Sequence, residues 1–362
     1  MPKSNKGRVL VAMSGGVDSA VAAALLVEQG YEVIGATMQV WDYSSCEVDE
    51  GNGTCCSSLD VDDARAVADK LSIPFYVLNC ESKFKETVIN PFIESYLNGQ
   101  TPVPCVNCNT YLKFDHLIQK MKELDCDYLA TGHYAQVERI GEAFKIMTSA
   151  DDYKDQTYFL FTLEPSILPQ LMFPVGHLKK TQVREIAIDR GLSVAKKKDS
   201  TGICFVGKGN YAEFVAQNAD PVRLKKMAGL IKRFPSNEIM GEHNGIHQFT
   251  YGQGKGLGLD HHEKLFVLRI DARDNTVWIG EEKYLFSDSL SLRDCSFLDD
   301  LIDGEQVDVK IRYSIKGYSA KIYKDESGIK VQFNEPQRAI TPGQACVFYR
   351  GRQLLGGGWI QP

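Results

Sequence analysis

The chain has 362 residues with 43% apolar and 24% charged side chains, which excludes a disordered or fibrous protein. Its 41 basic and 47 acidic residues leave a net charge of −6, so bulk attraction does not hold nucleic acid and any RNA must meet a local basic patch. No apolar run reaches the roughly 18 residues of a membrane span, and the basic N-terminus lacks a signal core, so a cytoplasmic protein without a membrane segment is expected. The ten cysteines are then expected as reduced thiols rather than a disulfide framework.

Residues 8–13 are a short apolar run ending in Ser14-Gly15-Gly16, and an Ala/Leu/Val-rich stretch from Val17 to Gln29 stops at Gly30. Tyr31 to Met38 is a second β-like run, so strand, glycine loop, helix and strand make one βαβ unit of a parallel sheet. Apolar Val61, Ala64, Val67, Ala68 and Leu71 predict a helix from Ser58 to Leu71, followed by a strand from Ile73 to Leu78. Phe114, Leu117, Ile118, Met121 and Leu124 form another helical stripe, and a strand from Asp127 to Thr131 ends at Gly132-His133. Thr181 to Arg190 is predicted helical, stopped by Gly191.

This α/β, Rossmann-like texture runs to residue 209, and residues 210–275 carry a short helix and a glycine-rich run from Tyr251 to Gly258. From 276, alternating runs at 307–313, 320–323, 329–333 and 346–349, parted by turns such as 325–328, predict a small antiparallel β-barrel. The expected domains are 1–209, catalytic; 210–275, central; and 276–362, the barrel.

The loop Ser14-Gly15-Gly16-Val17-Asp18-Ser19 joins the first strand to the first helix. Two glycines let the backbone approach an anion, the helix-start amides point at it, and Asp18 is a candidate magnesium holder. The Gly-x-x-x-x-Gly-Lys-Ser/Thr pattern is absent, which fits chemistry that releases pyrophosphate and leaves AMP on a substrate. The hexapeptide resembles the signature of the pyrophosphatase-loop ATP enzymes, whose members adenylate a carbonyl oxygen for attack by nitrogen or sulfur.

Cys105-Val-Asn-Cys108 follows Thr101-Pro-Val-Pro104, and the two prolines are expected to hold both thiols on a constrained, non-helical loop. Cys204 follows Lys196-Lys-Lys-Asp-Ser-Thr-Gly-Ile203, where nearby lysines favour the thiolate. A single Cys-x-x-Cys is a poor zinc site. Cysteines 46, 55, 56, 80, 126, 295 and 346 are read as core or surface thiols.

These segments together resemble the bacterial tRNA-specific 2-thiouridylase family. The resemblance spans essentially the whole chain and includes 12–19, 101–109, 130–134, 154–159, 173–176, 195–205, 252–258 and 341–344. It implies ATP held by Ala12, Met13, Ser14, Gly15, Gly16, Val17, Asp18 and Ser19, with Met38 and Gly132 on the adenine side. It implies adenylation of the 2-oxygen of a tRNA wobble uridine and sulfur delivery from a Cys204 persulfide, loaded by a sulfur-relay protein or a cysteine desulfurase. Cys108 then attacks that persulfide to release sulfide, or closes a disulfide with Cys204. The implied tRNA contacts are His133, Lys154, Asp155, Gln156, Arg312, Tyr313 and Gln344, with Tyr134 or Tyr313 as base-stacking platforms.

Three positions depart from the family pattern: Val103 replaces a polar residue, Cys105 stands where one branch has aspartate, and Gly254 stands where a basic residue is usual. The alternative use of Cys105, Cys108 and Cys204 is as ligands of an iron–sulfur cluster. Two rivals stay open from the residues alone. One is an adenylating enzyme that uses nitrogen attack, which needs neither Cys108 nor Cys204. The other is an RNA-binding module with a vestigial loop.

Overall fold

In the computed structural model, which describes residues 6–41, 58–199, 202–206, 210–259, 263–314, 316–325 and 328–362, Arg8–Ala12 forms strand β1. Its Val9, Leu10 and Val11 are fully buried, as a strand covered on both faces requires. The expectations on Cys46, Cys55, Cys56, Ser200-Thr201, the insertion at 42–54, and residues 326–327 of the 325–328 turn lie outside the described residues. Among the described residues, no helix is long and apolar enough to cross a membrane.

The chain continues through α1 (Val17–Glu28), β2 (Glu32–Gln39), α2 (Ser58–Leu71), β3 (Phe75–Asn79), α3 (Glu81–Phe84) and α4 (Asn90–Leu97). There follow α5 (Pro104–Asn107), a π-helix over Cys108–His116, α6 (Leu117–Glu123), β4 (Tyr128–Thr131), β5 (Ala135–Ile140), β6 (Ala143–Thr148), β7 (Leu171–Met172) and α7 (Lys180–Asp189). The sheet order β3-β2-β1-β4-β7 is parallel at every pairing. Helix α1 buries Val17, Ala20 to Ala24 and Leu26 in one core with Val183 and Ala187 of α7 and Val67 of α2. A helix apolar on nearly all sides is an interior helix, and its Ala-rich faces allow that close packing.

One structural expectation is corrected here. Cys105 lies within α5 and Cys108 opens the π-helix, so neither thiol is on an extended loop. Pro104 occupies the first helical position, where its missing N–H costs nothing and its fixed φ suits the helix. The helical stripe from Phe114 to Leu124 is divided between the π-helix and α6.

Two compact units result. One comprises Met1–Val88, Cys105–Lys208 and Arg352–Leu354; the other comprises Ile89–Pro104, Gly209–Gly351 and Leu355–Pro362. The second contains α8 (Tyr211–Asn218), α9 (Pro221–Lys225) and a sheet ordered β10-β11-β8-β9, from β8 (Gly229–Arg233), β9 (Glu238–His243), β10 (Phe266–Asp271) and β11 (Thr276–Gly280). It also contains β12 (Phe286–Phe297), β13 (Glu305–Lys310), β14 (Tyr318–Asp325), β15 (Gly328–Arg338) and β16 (Ala345–Arg350), which with β17 (Gln353–Ile360), part of this unit from Leu355 onward, make a six-stranded barrel. Its order is β12-β15-β14-β13-β16-β17, and pairing of β12 with Gly356–Ile360 of β17 closes it around Leu292, Val309, Ile322, Val331 and Phe348. The segment beginning at Thr276 pairs with β8 and β10 and is not a barrel strand.

Candidate active site

The parallel sheet reverses its strand order between β1 and β4, and such a switch point leaves a crevice beyond the carboxyl ends of the strands. Ser14-Gly15-Gly16 leaves β1 there, and Gly132 leaves β4. Gly15 has φ +68°, and a Cβ on it would lie 2.2 Å from the Asp60 carbonyl oxygen, so only glycine fits. A Cβ on Gly132 would lie 2.6 Å from the Ser19 backbone nitrogen, which shows how closely the end of β4 approaches the first turn of α1. Ser19 Oγ accepts from the Ser14 amide (3.1 Å) and donates to the Gly16 carbonyl (3.1 Å), folding the loop back on itself. Ala12, Met13, Ser14 to Ser19 and Gly132 therefore meet at one place, and Met38 lies near the end of the adjacent β2 with its side chain buried.

Asp18 has a different partner from the expected magnesium. Lys180 Nζ donates to both of its oxygens at 2.8 Å, and the Tyr134 hydroxyl donates to Oδ1 at 2.7 Å. A dication beside that ammonium would be repelled, so Asp18 as arranged does not fit a magnesium ligand. Burial and the neighbouring Asp18 charge push the Tyr134 phenol well above its ordinary range, keeping it a donor. Lys180 also contacts Asp199 at 2.8 Å, and Asp199 takes Lys154 (2.6 Å) and Arg184 (2.8 Å) as well. Burial opposes ionisation of Asp199, but hydrogen bonds from Lys154 and Lys180 outweigh it and hold the carboxyl down at about 2. Lys197, in the run before Cys204, donates to Asp60, Asp63 and the Gly15 carbonyl. These charge contacts escaped the sequence reading, because no local pattern links residues up to 182 positions apart.

The thiols flank one segment of the same unit. Phe205, next to Cys204, packs edge-to-face on Phe84 at 5.6 Å, and Asn107, next to Cys108, donates to the Thr87 carbonyl at 3.2 Å. Cys105 is exposed, and Cys108 and Cys204 are half-buried. Cys80, Cys126 and Cys346 are buried and Cys295 is half-buried; desolvation pushes the thiols of Cys80, Cys126 and Cys295 up to about 11 and raises Cys346 further, which disfavours their thiolates. Among the described residues, no three His, Cys, Asp or Glu side chains are grouped to hold a metal ion. Cys105, Cys108 and Cys204 thus do not fit a cluster ligand set as arranged.

The expected RNA contacts separate into interior and exposed groups. His133 is buried between Phe114 and Phe173, bonded to Thr131 Oγ1 at 2.7 Å, and held neutral by burial. Asp155 is buried and accepts from the Ser149 amide and the Thr157 hydroxyl. Gln156 accepts from the Tyr134 amide at 2.9 Å, and Tyr134 is itself buried. These side chains hold the turn after β4, and Tyr134 is not a base-stacking platform, because its ring is enclosed. Lys154 is half-buried on Asp199.

In the second unit, Arg312 and Tyr313 are exposed, while Gln344 donates to the Thr101 carbonyl at 3.0 Å and braces the proline-rich approach. Arg312 lines a cavity of about 880 Å³ with Lys255, Arg338, Tyr211 and Tyr251. A Cβ on Gly254 would come within 2.8 Å of the Phe266 ring, which explains why this position carries no side chain here. No comparable contact accounts for Val103.

Residues 7–208 match the description tRNA methyl transferase HUP domain, residues 221–281 tRNA methyl transferase PRC-barrel domain, and residues 287–360 Aminomethyltransferase beta-barrel domain. The chain is 47% identical over 359 residues to the tRNA-specific 2-thiouridylase MnmA of Clostridium botulinum, covering 98% of each. It is 45% identical to the protein of the same name from Acetivibrio thermocellus, covering 99% of this chain and 100% of that one. The corresponding identity for Geotalea uraniireducens is 43%, over 100% of this chain and 97% of the other. The chain therefore belongs to the tRNA-specific 2-thiouridylase MnmA family.

Proposed function

We propose that this protein is a cytoplasmic tRNA-uridine 2-sulfurtransferase that converts a wobble uridine to 2-thiouridine at the expense of ATP. The uridine 2-oxygen attacks the α-phosphorus of ATP, supplied as its magnesium complex, and pyrophosphate leaves. A persulfide on Cys204, loaded by a sulfur-relay protein or a cysteine desulfurase, supplies sulfur to C2, and AMP departs. Cys108 attacks the Cys204 sulfur, which releases the terminal sulfur and leaves a Cys108–Cys204 disulfide. An external thiol must reduce that disulfide before the next turnover.

The observation that carries this reading is the combination, in one compact unit, of a glycine loop at the sheet's switch point with two thiols flanking the Glu81–Thr87 segment. The loop's free amides suit a leaving pyrophosphate. A nitrogen-transfer enzyme has no use for the thiols, and a binding module has none for the loop. The exposed Arg312 and Tyr313 and the cation-lined cavity of the second unit are assigned to tRNA.

The test is nucleoside mass spectrometry of a wobble-uridine tRNA incubated with the anaerobically purified protein, MgATP and a persulfide donor. Replacement of one oxygen by sulfur, lost in Cys204→Ser and Cys108→Ser and retained in iron-free protein, is expected. Intact tRNA binding without product would refute the transfer reading. Product only from iron-loaded protein, dependent also on Cys105, would replace the persulfide route with a cluster.

A further inference from the structure

Residues 81–87 touch the neighbours of both Cys108 and Cys204, and the segment is itself tied to the parallel sheet. The Cys80 amide donates to the Gln39 carbonyl at the end of β2 (2.8 Å), and the Glu81 amide to Asn79 Oδ1 at the end of β3 (3.1 Å). Glu81 Oε1 also accepts from Gln39 Nε2 at 2.8 Å. Helix α3 therefore starts from the carboxyl ends of two strands, and it runs directly into a π-helical turn, Lys85–Ile89. On one side, Phe84 is 1% exposed and its ring meets Phe205 edge-to-face at 5.6 Å. The Val206 amide donates to the Ile203 carbonyl at 3.1 Å, so Cys204 and Phe205 share a tight turn that the Phe205 ring pins to α3. On the other side, the Thr87 carbonyl accepts from Asn107 Nδ2 at 3.2 Å, directly before Cys108. The helix there is fastened again by Thr110, whose hydroxyl donates to the Val106 carbonyl at 2.9 Å and lies 2.6 Å from Thr162 Oγ1. A third thiol, Cys80, stands at the root of the segment, but it is buried and pushed up to about 11, which makes it a poor nucleophile.

We propose that Phe84 and Asn107 are positioning residues for the sulfur chemistry: α3 and the turn after it hold Cys204 by one end and Cys108 by the other, and so set the separation of the two sulfurs. This rests on the proposed exchange between those thiols. In that exchange the Cys108 thiolate places its electron pair on the inner sulfur of the Cys204 persulfide, the bond to the terminal sulfur breaks, and hydrosulfide leaves with that pair. The two cysteines are oxidised to a disulfide, the terminal sulfur is reduced, and the proton of the Cys108 thiol goes to solvent. A displacement of this kind depends on close placement of the reacting atoms, and an error of about 1 Å costs up to about 100-fold. Neither Phe84 nor Asn107 needs to touch a reacting sulfur, since each acts through the residue beside a cysteine or is that residue.

The test poises the full-length protein in anaerobic glutathione buffers of defined thiol-to-disulfide ratio and reads the Cys108–Cys204 disulfide by alkylation and peptide mass spectrometry. The equilibrium constant for closing that bond measures how well the two sulfurs are placed, without ATP or tRNA. Phe84→Leu keeps an apolar side chain in the core, and Asn107→Leu keeps the size but not the amide. Each is expected to lower the constant at least about tenfold, or about 30 mV in potential. Asn107→Gln keeps the amide and is expected to stay within about threefold of wild type. Because the two fastenings act in series, the double leucine variant should fall no more than about threefold below the weaker single variant. Wild-type constants in both leucine variants, losses that multiply in the double variant, or equal loss in Asn107→Gln and Asn107→Leu overturn the clamp. The Asn107 pair decides the matter even where Phe84→Leu unfolds. A Cys80–Cys108 bond in place of the Cys108–Cys204 bond also overturns it. A wild type that closes no disulfide at Cys108 at any ratio refutes the two-thiol exchange itself.

Discussion

The two glycines of the loop serve different ends, and substituting each with alanine separates them. At Gly15, φ is +68° and a Cβ would lie 2.2 Å from the Asp60 carbonyl oxygen and 2.7 Å from its Cα. The left-handed backbone costs an alanine about 1–2 kcal/mol, and the collision with main chain adds to it because α2 cannot yield like a flexible side chain. A total of about 2–4 kcal/mol is expected for Gly15→Ala, lowering the unfolding midpoint by roughly 5–15 °C. Gly16 is different: φ is −93°, and a Cβ would meet only Ser14 Oγ at 3.5 Å, an ordinary contact. Alanine is a poorer N-cap than glycine but reduces the freedom of the unfolded chain, and the two effects nearly cancel, leaving a change within about 1 kcal/mol. Any need for Gly16 must then come from the phosphate, since a methyl group keeps an anion off the amides. Thermal unfolding of nucleotide-free protein, with equilibrium ATP binding, measures both. Gly16→Ala should unfold like the wild type but bind ATP at least about tenfold more weakly. A Gly16→Ala protein that binds ATP normally would refute the close approach of phosphate to this backbone. One as unstable as Gly15→Ala would refute the steric account.

Asp199 is held from its ordinary 3.8 down to about 2, so its ion pairs contribute stability above the unfolded pKa that is lost as pH falls from about 4 toward 2. Asp199→Asn should therefore cost about 2 kcal/mol at pH 7, with the difference from wild type closing below about pH 2 in denaturant titrations; a pH-independent gap would contradict this. His133, His243 and His247 are all lowered by burial, so the unfolded chain binds protons that the folded one refuses. Stability should fall as pH drops below about 6.5, by up to about 1.4 kcal/mol per unit for each histidine, and His133→Asn should lessen that slope. For the cation-lined cavity, Arg312→Ala and Lys255→Ala should each weaken tRNA binding and reduce the slope of log affinity against log salt by about 0.7–0.9. Unchanged slopes would place the tRNA backbone elsewhere.

The nucleotide loop was legible because its requirements are local. An apolar run, two glycines and an Ala-rich helix specify β1, the turn and α1 wherever the chain lies. Helix α2 was readable for the same reason, its buried Ala64, Val67 and Ala68 recurring at helical spacing. The β5–β6 hairpin also carried a local sign in Gly141, φ +63°, between two alternating runs, but those runs sit inside a chain otherwise read as helix and parallel strand. Cys105 and Cys108 are helical where an extended loop is expected, because proline forbids the interior of a helix while favouring its first turn. His133, Tyr134 and Asp155 show the deeper limit. Their motifs stand out as polar residues, but whether such residues face RNA or brace a turn depends on what the fold lays over them.

Under the proposed function, the charge layout accounts for how a chain of net charge −6 handles two polyanions. Around the nucleotide loop, Lys154, Lys180, Arg184 and Lys197 are stored on Asp18, Asp60, Asp63 and Asp199, which fixes their positions before any phosphate arrives. Phosphate binding there is an exchange of one anion for another, so few counterions are released. On the second unit, Arg312 and Lys255 are exposed, and the tRNA binding proposed there would expel salt ions from the RNA. Nucleotide affinity should accordingly vary little with salt while tRNA affinity falls steeply, although both ligands carry phosphates. If ATP and tRNA affinities show the same salt slope, the cations around the loop are not pre-paired in solution, and the exchange account fails.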